Sequence, residues 1–366
     1  MLDRTPPLFA ILAVLAGSAG ALMSPGAMGA DAVVALDGSG QYASVQDAIS
    51  AAPMRDGVTN PRWVIHVKPG TYQERVYVQR ERGNILLEGE DAAHTVITFN
   101  LHASTPGPDG KPIGTFRTAT MEIDADGFAA VNLTFANSSG PVGQALALRV
   151  DGDRVAFRNC RFLGWQDTIL VNRGRHVFSQ CYIEGHVDFI FGGATAFFDR
   201  CDVHCLRDGY ITAASTPPGA PYGMVFADCR ITGAEGVRTY LGRPWRNYAQ
   251  VAFIRTAMSA VIRPEGWHDW NKPEARKTAI FAEFANTGPG ADAGARVPWA
   301  RRLATAEANA LTMDRVVAGN DGWNPAPMLL AATDGAPWPT DRGDKAAPER
   351  VPKGEIRSRP NDVSQQ

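Results

Sequence analysis

The segment Val155-Ala-Phe-Arg-Asn-Cys-Arg-Phe162 is the first of four similar stretches in the chain. The later copies are Val177-Phe-Ser-Gln-Cys-Tyr-Ile183, Phe197-Phe-Asp-Arg-Cys-Asp-Val203 and Val225-Phe-Ala-Asp-Cys-Arg-Ile231. Each is a short run rich in β-branched and aromatic residues, and its cysteine recurs after 21, 20 and then 28 residues. A period of about 20 to 50 residues predicts a solenoid or propeller. Short strands rather than helical stripes favour a parallel β-helix over chance likeness among sandwich strands.

Upstream segments fit the same architecture. Runs of strand character lie between turn residues at Trp63–Val67, Val76–Val78, 85–88 and 95–98. A helix is expected over 45–52, because Ser44 precedes it and Asp47 follows at the spacing of a capping box. Such a helix could cover the open end of a solenoid, where strand edges would otherwise be unpaired. We therefore predict an all-β fold, a right-handed parallel β-helix with a short N-terminal capping helix.

The two ends of the chain differ in character from this middle. Arg4 and the apolar run Leu8–Leu15, followed by small residues, predict a secretory signal over residues 1–30. The run is too short and too interrupted by glycine for a membrane span. From about residue 328 to 366 the chain is charged and proline-rich, which is typical of a disordered tail. We expect one β-helix domain over 31–327 in a protein that is secreted or periplasmic.

Composition excludes some partners. The formal net charge is −2 among 366 residues, without the basic excess that nucleic-acid binding requires. After signal cleavage no membrane partner is expected. A capped solenoid also has no need of a second copy, which favours a monomer.

The repeat places two aspartates in register. Asp167 lies seven residues after Cys160, and Asp188 lies seven residues after Cys181. On successive coils of a β-helix such residues would be about 4.8 Å apart. Two carboxylates so close cannot both ionise easily, so one should remain protonated as an acid while its neighbour serves as a nucleophile. The alternative is a pair of solvated turn residues.

Other polar residues favour a catalytic site. Gln166 directly precedes Asp167, and Gln144 lies about one coil earlier. Their amides could donate hydrogen bonds to an oxyanion, although each alone would be an ordinary surface side chain. Arg243 could hold a nucleophilic carboxylate in its ionised form through a bidentate pair. Aromatic residues for a sugar-binding cleft are then expected among a few positions. They are Trp245, Phe189 and Tyr210, with Trp267 and Trp270 as weaker candidates.

Five motifs, in order, resemble the signatures of the pectin methylesterase (pectinesterase) family. They are Gly70-Thr-Tyr-Gln-Glu74, Gly143-Gln-Ala-Leu-Ala-Leu148, Gly164-Trp-Gln-Asp-Thr-Ile-Leu170, Asp188-Phe-Ile-Phe-Gly192 and Leu241-Gly-Arg-Pro-Trp245. The resemblance covers roughly residues 33 to 325. It implies a right-handed parallel β-helix that removes methyl esters from polygalacturonate, with no metal or organic cofactor.

The resemblance also implies a role for each residue. Asp188 would be the nucleophile, Asp167 the general acid and then base, and Gln144 and Gln166 the oxyanion donors. Arg243 would bind Asp188. Trp245 and Phe189 would contact galacturonate rings. The family further suggests a disulfide between Cys181 and Cys201, with Cys160 as a rival partner and Cys205 free.

Two other classes of function remain open at this point. A polygalacturonase would also need two carboxylates, and a pectate lyase would need a cluster of acids for calcium. Paired glutamines suit acyl chemistry better than either. The second alternative is a carbohydrate-binding or structural protein that kept the fold without turnover. The presence of all five proposed site residues argues against it.

Overall fold

The computed structural model describes residues 29–54 and 61–330. This part of the chain consists mainly of short parallel strands with a few helices. The helices are α1 Val45–Ala51, α2 Thr305–Asn309, α3 Met313–Val317 and α4 Ala326–Leu330. The strands are β1 Ala32–Val34, β2 Trp63–Val67, β3 Gly70–Gln73, β4 Val76–Val78, β5 Ile85–Gly89, β6 Thr95–Phe99, β7 Met121–Ile123, β8 Ala129–Val131, β9 Thr134–Asn137, β10 Leu148–Val150, β11 Val155–Arg158, β12 Arg161–Leu163, β13 Ile169–Val171, β14 Arg175–Ser179, β15 Tyr182–Gly192, β16 Thr195–Asp199, β17 Asp202–Ala214, β18 Met224–Ala227, β19 Arg230–Gly233, β20 Thr239–Pro244, β21 Gln250–Ile254, β22 Ala257–Met258, β23 Ile280–Phe284 and β24 Arg301–Arg302.

The strands form three parallel faces. One sheet runs in the order β1-β2-β5-β8-β11-β14-β16-β18-β21-β23-β24. A second series runs β3-β6-β9-β12-β15-β17-β19-β22, and a third runs β4-β7-β10-β13-β15-β17-β20. The long strands β15 and β17 belong to both of these series. Each coil therefore contributes one strand to each face, which confirms the predicted right-handed parallel β-helix.

A repeated left-handed residue turns the chain from the first face to the second. Asn159, Gln180, Arg200 and Asp228 have φ between 49° and 55°. This conformation costs roughly 1–2 kcal/mol for a residue other than glycine. Each backbone N–H donates to the next coil, as from Asn159 to the Ser179 carbonyl at 3.1 Å. The ladder of hydrogen bonds thus holds the turn, and the following cysteine points into the core.

Aromatic rings stack along the interior. Phe157 lies 4.9 Å from Phe178, which lies 4.7 Å from Phe198, and Phe198 lies 4.3 Å from Phe226 between ring centroids. These rings come from the second or third position of the four repeated segments. All four are fully buried. Equivalent positions of the sequence repeat therefore lie above one another on successive coils, and phenylalanine fills one column of the core.

Helix α1 is fastened at its N-terminus by a residue from strand β3's end. The Glu74 carboxylate accepts hydrogen bonds from the N–H groups of Val45 and Gln46 at 2.8 and 2.9 Å, and from the Ser44 hydroxyl. Ser44 Oγ in turn accepts from the Asp47 N–H at 3.2 Å. The predicted cap is present, but Glu74 rather than Asp47 completes it. Negative charge at this end also complements the helix dipole.

The C-terminal segment lies along the outside of the first sheet. Helix α3 packs on β14 and β16, and α4 packs on β8 and β11. Between them, Asp321 pairs with Arg175, which also binds Asp153 at 2.6 Å. Apolar side chains of α3 and α4 cover the outward residues of the sheet. Helix α4 reaches Leu330, three residues beyond the predicted boundary at 327.

The predicted signal at 1–30 lies outside the described residues except for its last two, and so does most of the predicted tail. Both remain predictions. Among the helices of the described segments, none is long and apolar enough to cross a membrane.

Candidate active site

The two aspartates lie in the same register on neighbouring coils. Ile169 pairs with Ile190, and Asp167 and Asp188 each stand two residues before this pair. Both adopt left-handed backbone conformations, with φ of 64° and 51°. Strain of this kind in residues that are not glycine persists only where surrounding contacts enforce it, and it clusters at functional sites. Here the Asp167 N–H donates to the Val187 carbonyl at 3.1 Å.

Arg243 reaches Asp188 from two coils away. It lies on β20 opposite Ala213 of β17, which itself pairs with Phe191 of β15. Arg243 Nε donates to Asp188 Oδ1 at 2.8 Å, and Nη2 donates to Oδ2 at 2.7 Å. The result is a parallel bidentate pair, the geometry that best fixes a carboxylate.

The electrostatics separate the two carboxyl groups. Asp167 is 8% exposed and Asp188 is 6% exposed. Burial raises the pKa of Asp167 well above its ordinary value, and the charge of Asp188 adds to this shift. Burial also raises the pKa of Asp188, but the hydrogen bonds and charge of Arg243 oppose that shift. Of the two groups, Asp167 therefore has the stronger tendency to hold a proton, while Arg243 favours the ionised form of Asp188.

The two glutamines are neighbours across the coil step. Gln144 and Gln166 form a parallel bridge, and the Ala145 N–H donates to the Gln166 carbonyl at 3.1 Å. Both side chains are partly exposed. Within the described segments, neither amide side chain makes a hydrogen bond to another residue. Their N–H groups therefore remain available to a ligand beside the aspartates.

Aromatic residues border the site on the side of β13 and β20. The partly exposed Trp245 ring lies 5.6 Å from Phe191 and 6.5 Å from Phe116 between centroids. Phe116 is 48% exposed and was not identified from the sequence. It lies in a short 3-10 turn without any repeat or motif of the kind that marks the other site residues. Trp245 thus lies at the edge of a small apolar cluster that includes Phe191, and its predicted contact with substrate stays a prediction.

Phe189 does not lie in the cleft, and its predicted contact with substrate is wrong. Its side chain is fully buried in the interior of the coil. Gly185 makes this packing possible, since a Cβ there would come within 2.3 Å of the Phe189 Cβ. Successive residues of a strand point to opposite sides, and Phe189 takes the inward direction.

The partly exposed Tyr210 side chain packs against neighbouring side chains, and its predicted contact with a sugar stays a prediction. Its ring stacks on Tyr240 at 5.3 Å, and the Arg243 guanidinium lies 3.8 Å from its centroid. Trp270 contacts the same guanidinium at 3.6 Å. Trp267 is a core residue at 1% exposure, with its indole N–H bound to Glu283.

The disulfide between Cys181 and Cys201 is not formed, and all five cysteines are buried free thiols. Cys181 Sγ contacts the Ser179 carbonyl at 3.4 Å, and Cys201 Sγ contacts the Phe178 carbonyl at 3.3 Å. Side chains in register on successive coils run parallel at the strand spacing of about 4.8 Å. A disulfide needs Cβ atoms that converge to about 3.8 Å. In residues 29–54 and 61–330, no three His, Cys, Asp or Glu side chains are grouped to hold a metal ion.

Two buried carboxylates, one of them bound by an arginine, and two neighbouring glutamines on a parallel β-helix fit the class of carbohydrate esterases. Comparisons with known proteins agree. The family model described as Pectinesterase matches residues 31–320. The chain belongs to the pectinesterase family, which confirms the resemblance of its motifs.

Individual relatives support the same assignment. "Pectinesterase 31" of Arabidopsis thaliana is 43% identical over 75% of this chain and 88% of its own length. "Pectinesterase/pectinesterase inhibitor 3" of the same plant is 40% identical over 80% of this chain, which spans about half of that longer protein (51%). Among solved structures, the pectin methylesterase from carrot has a TM-score of 0.76 at 35% identity, covering 82% of this chain and 96% of its own. PemA from Erwinia chrysanthemi has a TM-score of 0.70 at 30% identity, covering 81% and 98%.

Proposed function

We propose that this protein hydrolyses the methyl esters of polygalacturonate, releasing methanol and leaving pectate. The single observation that carries the proposal is the Asp188 carboxylate, held by Arg243 next to a buried Asp167 of raised pKa. This arrangement supplies a nucleophile and an acid at adjacent positions. A family that matches residues 31–320 and solved relatives described as pectin methylesterases support the substrate class. One of those relatives is described in complex with a hexasaccharide.

The first half of the reaction is acyl transfer to the enzyme. An Asp188 carboxylate oxygen attacks the C6 carbonyl carbon, and the carbonyl electrons move onto its oxygen. The amides of Gln144 and Gln166 donate hydrogen bonds to that oxyanion, which is the species they must stabilise. The bond from C6 to the methoxy oxygen then breaks. Asp167 gives its proton to this oxygen, and methanol leaves from a covalent anhydride between Asp188 and the sugar.

The second half is hydrolysis. Asp167 is now ionised and takes a proton from a water molecule, which attacks C6 of the anhydride. The bond between C6 and the Asp188 oxygen breaks, so that Asp188 regains its carboxylate, and the new carboxyl group of the sugar loses its proton to solvent as galacturonate is released. Asp167 ends the cycle protonated again. Arg243 keeps Asp188 ionised and oriented at both stages.

The setting of this activity is part of the proposal. The N-terminal sequence pattern supports export to the cell exterior or periplasm, where pectin is accessible. The capped coil supports action as a monomer, with no nucleic acid or membrane as partner.

Methanol release from highly methylated pectin tests the proposal, with Asp188→Asn beside the wild type. The variant should lose at least about a thousandfold in rate, because it removes the nucleophile. Asp228→Asn is a matched control. Like Asp188, Asp228 has a left-handed backbone conformation, and Arg255 donates two hydrogen bonds of 2.8 Å to its carboxylate. Unlike Asp188, it lies in an exposed turn. It should leave the rate unchanged. Methanol from Asp188→Asn at the wild-type rate, or none from the wild type, would refute the proposal.

A further inference from the structure

The guanidinium of Arg243 lies between two aromatic rings. Its carbon atom is 3.8 Å from the Tyr210 centroid and 3.6 Å from the Trp270 centroid. Its edge meanwhile makes both hydrogen bonds to Asp188. The N–H groups in the guanidinium plane thus bind the Asp188 carboxylate, while the two faces of the guanidinium contact the rings of Tyr210 and Trp270. Desolvated contacts of a cation with an aromatic face are the strongest of their kind.

The stack extends beyond these three residues. On one side, Tyr240 stacks on Tyr210 at an interplanar angle of 11°, and Arg263 lies 5.2 Å from the Tyr240 centroid. On the other side, Lys272 Nζ lies 4.8 Å from the Trp270 centroid. Cations and aromatic rings therefore follow one another along a column with Arg243 at its centre. We call this set the Arg243 stack: Arg263, Tyr240, Tyr210, Arg243, Trp270 and Lys272.

The loop that carries Trp270 is fastened to the strand that carries Arg243. The His268 N–H donates to the Gly242 carbonyl at 3.1 Å, and the Trp270 N–H donates to His268 Nδ1 at 2.8 Å. Lys272 Nζ donates to the carbonyls of Pro244 and Trp245 at 3.3 and 3.1 Å. The indole is consequently fixed relative to β20. A ring held in this way restricts the rotation of the arginine beneath it.

We infer that Tyr210 and Trp270 are positioning residues, which act on catalysis by clamping Arg243 in the plane of the Asp188 carboxylate. This inference rests on the proposed function. A flexible arginine could approach Asp188 through many geometries, of which only the coplanar one makes both hydrogen bonds. The stack selects that geometry before substrate arrives. Preorganised charge of this kind is a main source of catalysis, and small displacements reduce it sharply.

The decisive variant is Trp270→Leu, assayed for methanol release with kcat and KM determined separately. We expect kcat to fall about tenfold with KM within twofold, because a lost cation–π contact loosens Arg243. Trp270→Phe keeps a ring face and should restore kcat to within about threefold of the wild type. Trp323→Leu is the matched control. Trp323 also packs on an arginine, Arg175, at 5.6 Å, but in the C-terminal segment, and its loss should not change kcat.

A double-mutant cycle separates positioning from an unrelated structural role. In an Arg243→Gln background, Trp270→Leu should reduce kcat by less than twofold, since the group through which it acts is gone. The acid limb of the kcat/KM profile should also move to higher pH in Trp270→Leu. The charged groups that face Asp188 are Arg243, Asp167 and His186, and only the first is loosened. Tyr210→Leu removes the other ring and should cause the same fall in kcat and the same shift of the acid limb. It provides an independent test if the Trp270 variant does not fold.

Three results would overturn the inference. These are a raised KM at unchanged kcat, a full tenfold loss in the Arg243→Gln background, or an unchanged kcat in both Trp270→Leu and Tyr210→Leu. A wild type that releases no methanol would instead overturn the proposed function, so the two failures are distinguishable.

Discussion

Asp188 and Arg243 are 55 residues apart in the chain, yet two parallel hydrogen bonds of 2.8 and 2.7 Å join their side chains. The carboxylate comes from β15 and the arginine from β20, with one coil between them. Only a few per cent of Asp188 is exposed, so without this partner its ionised form would be costly. The pair therefore sets the charge of the candidate nucleophile.

Arg243→Lys tests this relationship. Lysine keeps the positive charge but cannot make the two parallel hydrogen bonds, so kcat should fall about 10- to 100-fold with a small change in KM. Steady-state methanol release measures both constants. Arg255→Lys, at the bidentate pair with Asp228, is the control and should have no effect on kcat. Equal activity of Arg243→Lys and wild type would mean that charge alone suffices.

Asp167→Asn should make the protein more stable at neutral pH while abolishing turnover. The pKa of Asp167 is raised in the folded state, so the native protein binds a proton there that the unfolded chain has released. Stability contributed by this group is present below the unfolded pKa and declines as pH rises toward the folded pKa. Asparagine removes the decline. Thermal melts from pH 4 to 8 should show a stabilisation that grows with pH, and a pH-independent difference would contradict the shift.

Gln166→Ala should lower kcat by roughly a hundredfold, because one oxyanion donor is lost. KM should change little, since the ground-state carbonyl needs this donor less than the oxyanion does. Gln180→Ala is a suitable control, because Gln180 lies in a different turn, between β14 and β15 and directly before Cys181. A change in KM alone would assign Gln166 to substrate binding.

Phe189→Leu and Trp245→Leu should behave in opposite ways. The first removes buried volume and should lower the free energy of unfolding by about 1–2 kcal/mol with KM unchanged. The second removes a partly exposed ring at the edge of the site and should raise KM with little loss of stability. Urea unfolding and initial rates on methylated pectin measure the two quantities. A raised KM in Phe189→Leu would instead indicate that the Phe189 ring contacts the substrate.

Thiol titration of the unreduced, denatured protein should find five free thiols per chain. All five cysteines are free and buried in the folded protein. In the native state they should react slowly, because they are inaccessible and burial raises the pKa of Cys160 to about 12. A count of three free thiols after denaturation would indicate that one disulfide is present, and peptide mapping would then identify the two cysteines that form it.

The sequence by itself determined the coil and the register of the site. The cysteine-bearing repeat, with steps of 20 to 28 residues, can be recognised in the sequence because each coil pairs with the coils next to it along the chain. The same period placed Asp167 with Asp188, and Gln144 with Gln166. Such pairs lie one coil apart, so the spacing along the chain becomes a spacing along the axis.

Tertiary structure alone decided which way side chains point and what they meet across more than one coil. Phe189 turns inward because the left-handed Asp188 and the space at Gly185 set its direction, and no motif encodes that. The parallel course of Cys181 and Cys201 likewise follows from stacking geometry rather than from spacing. The clamp on Arg243 needs Tyr210 from an earlier strand and Trp270 from a later loop. Its physical basis is contact between separate coils, which a one-dimensional repeat cannot specify.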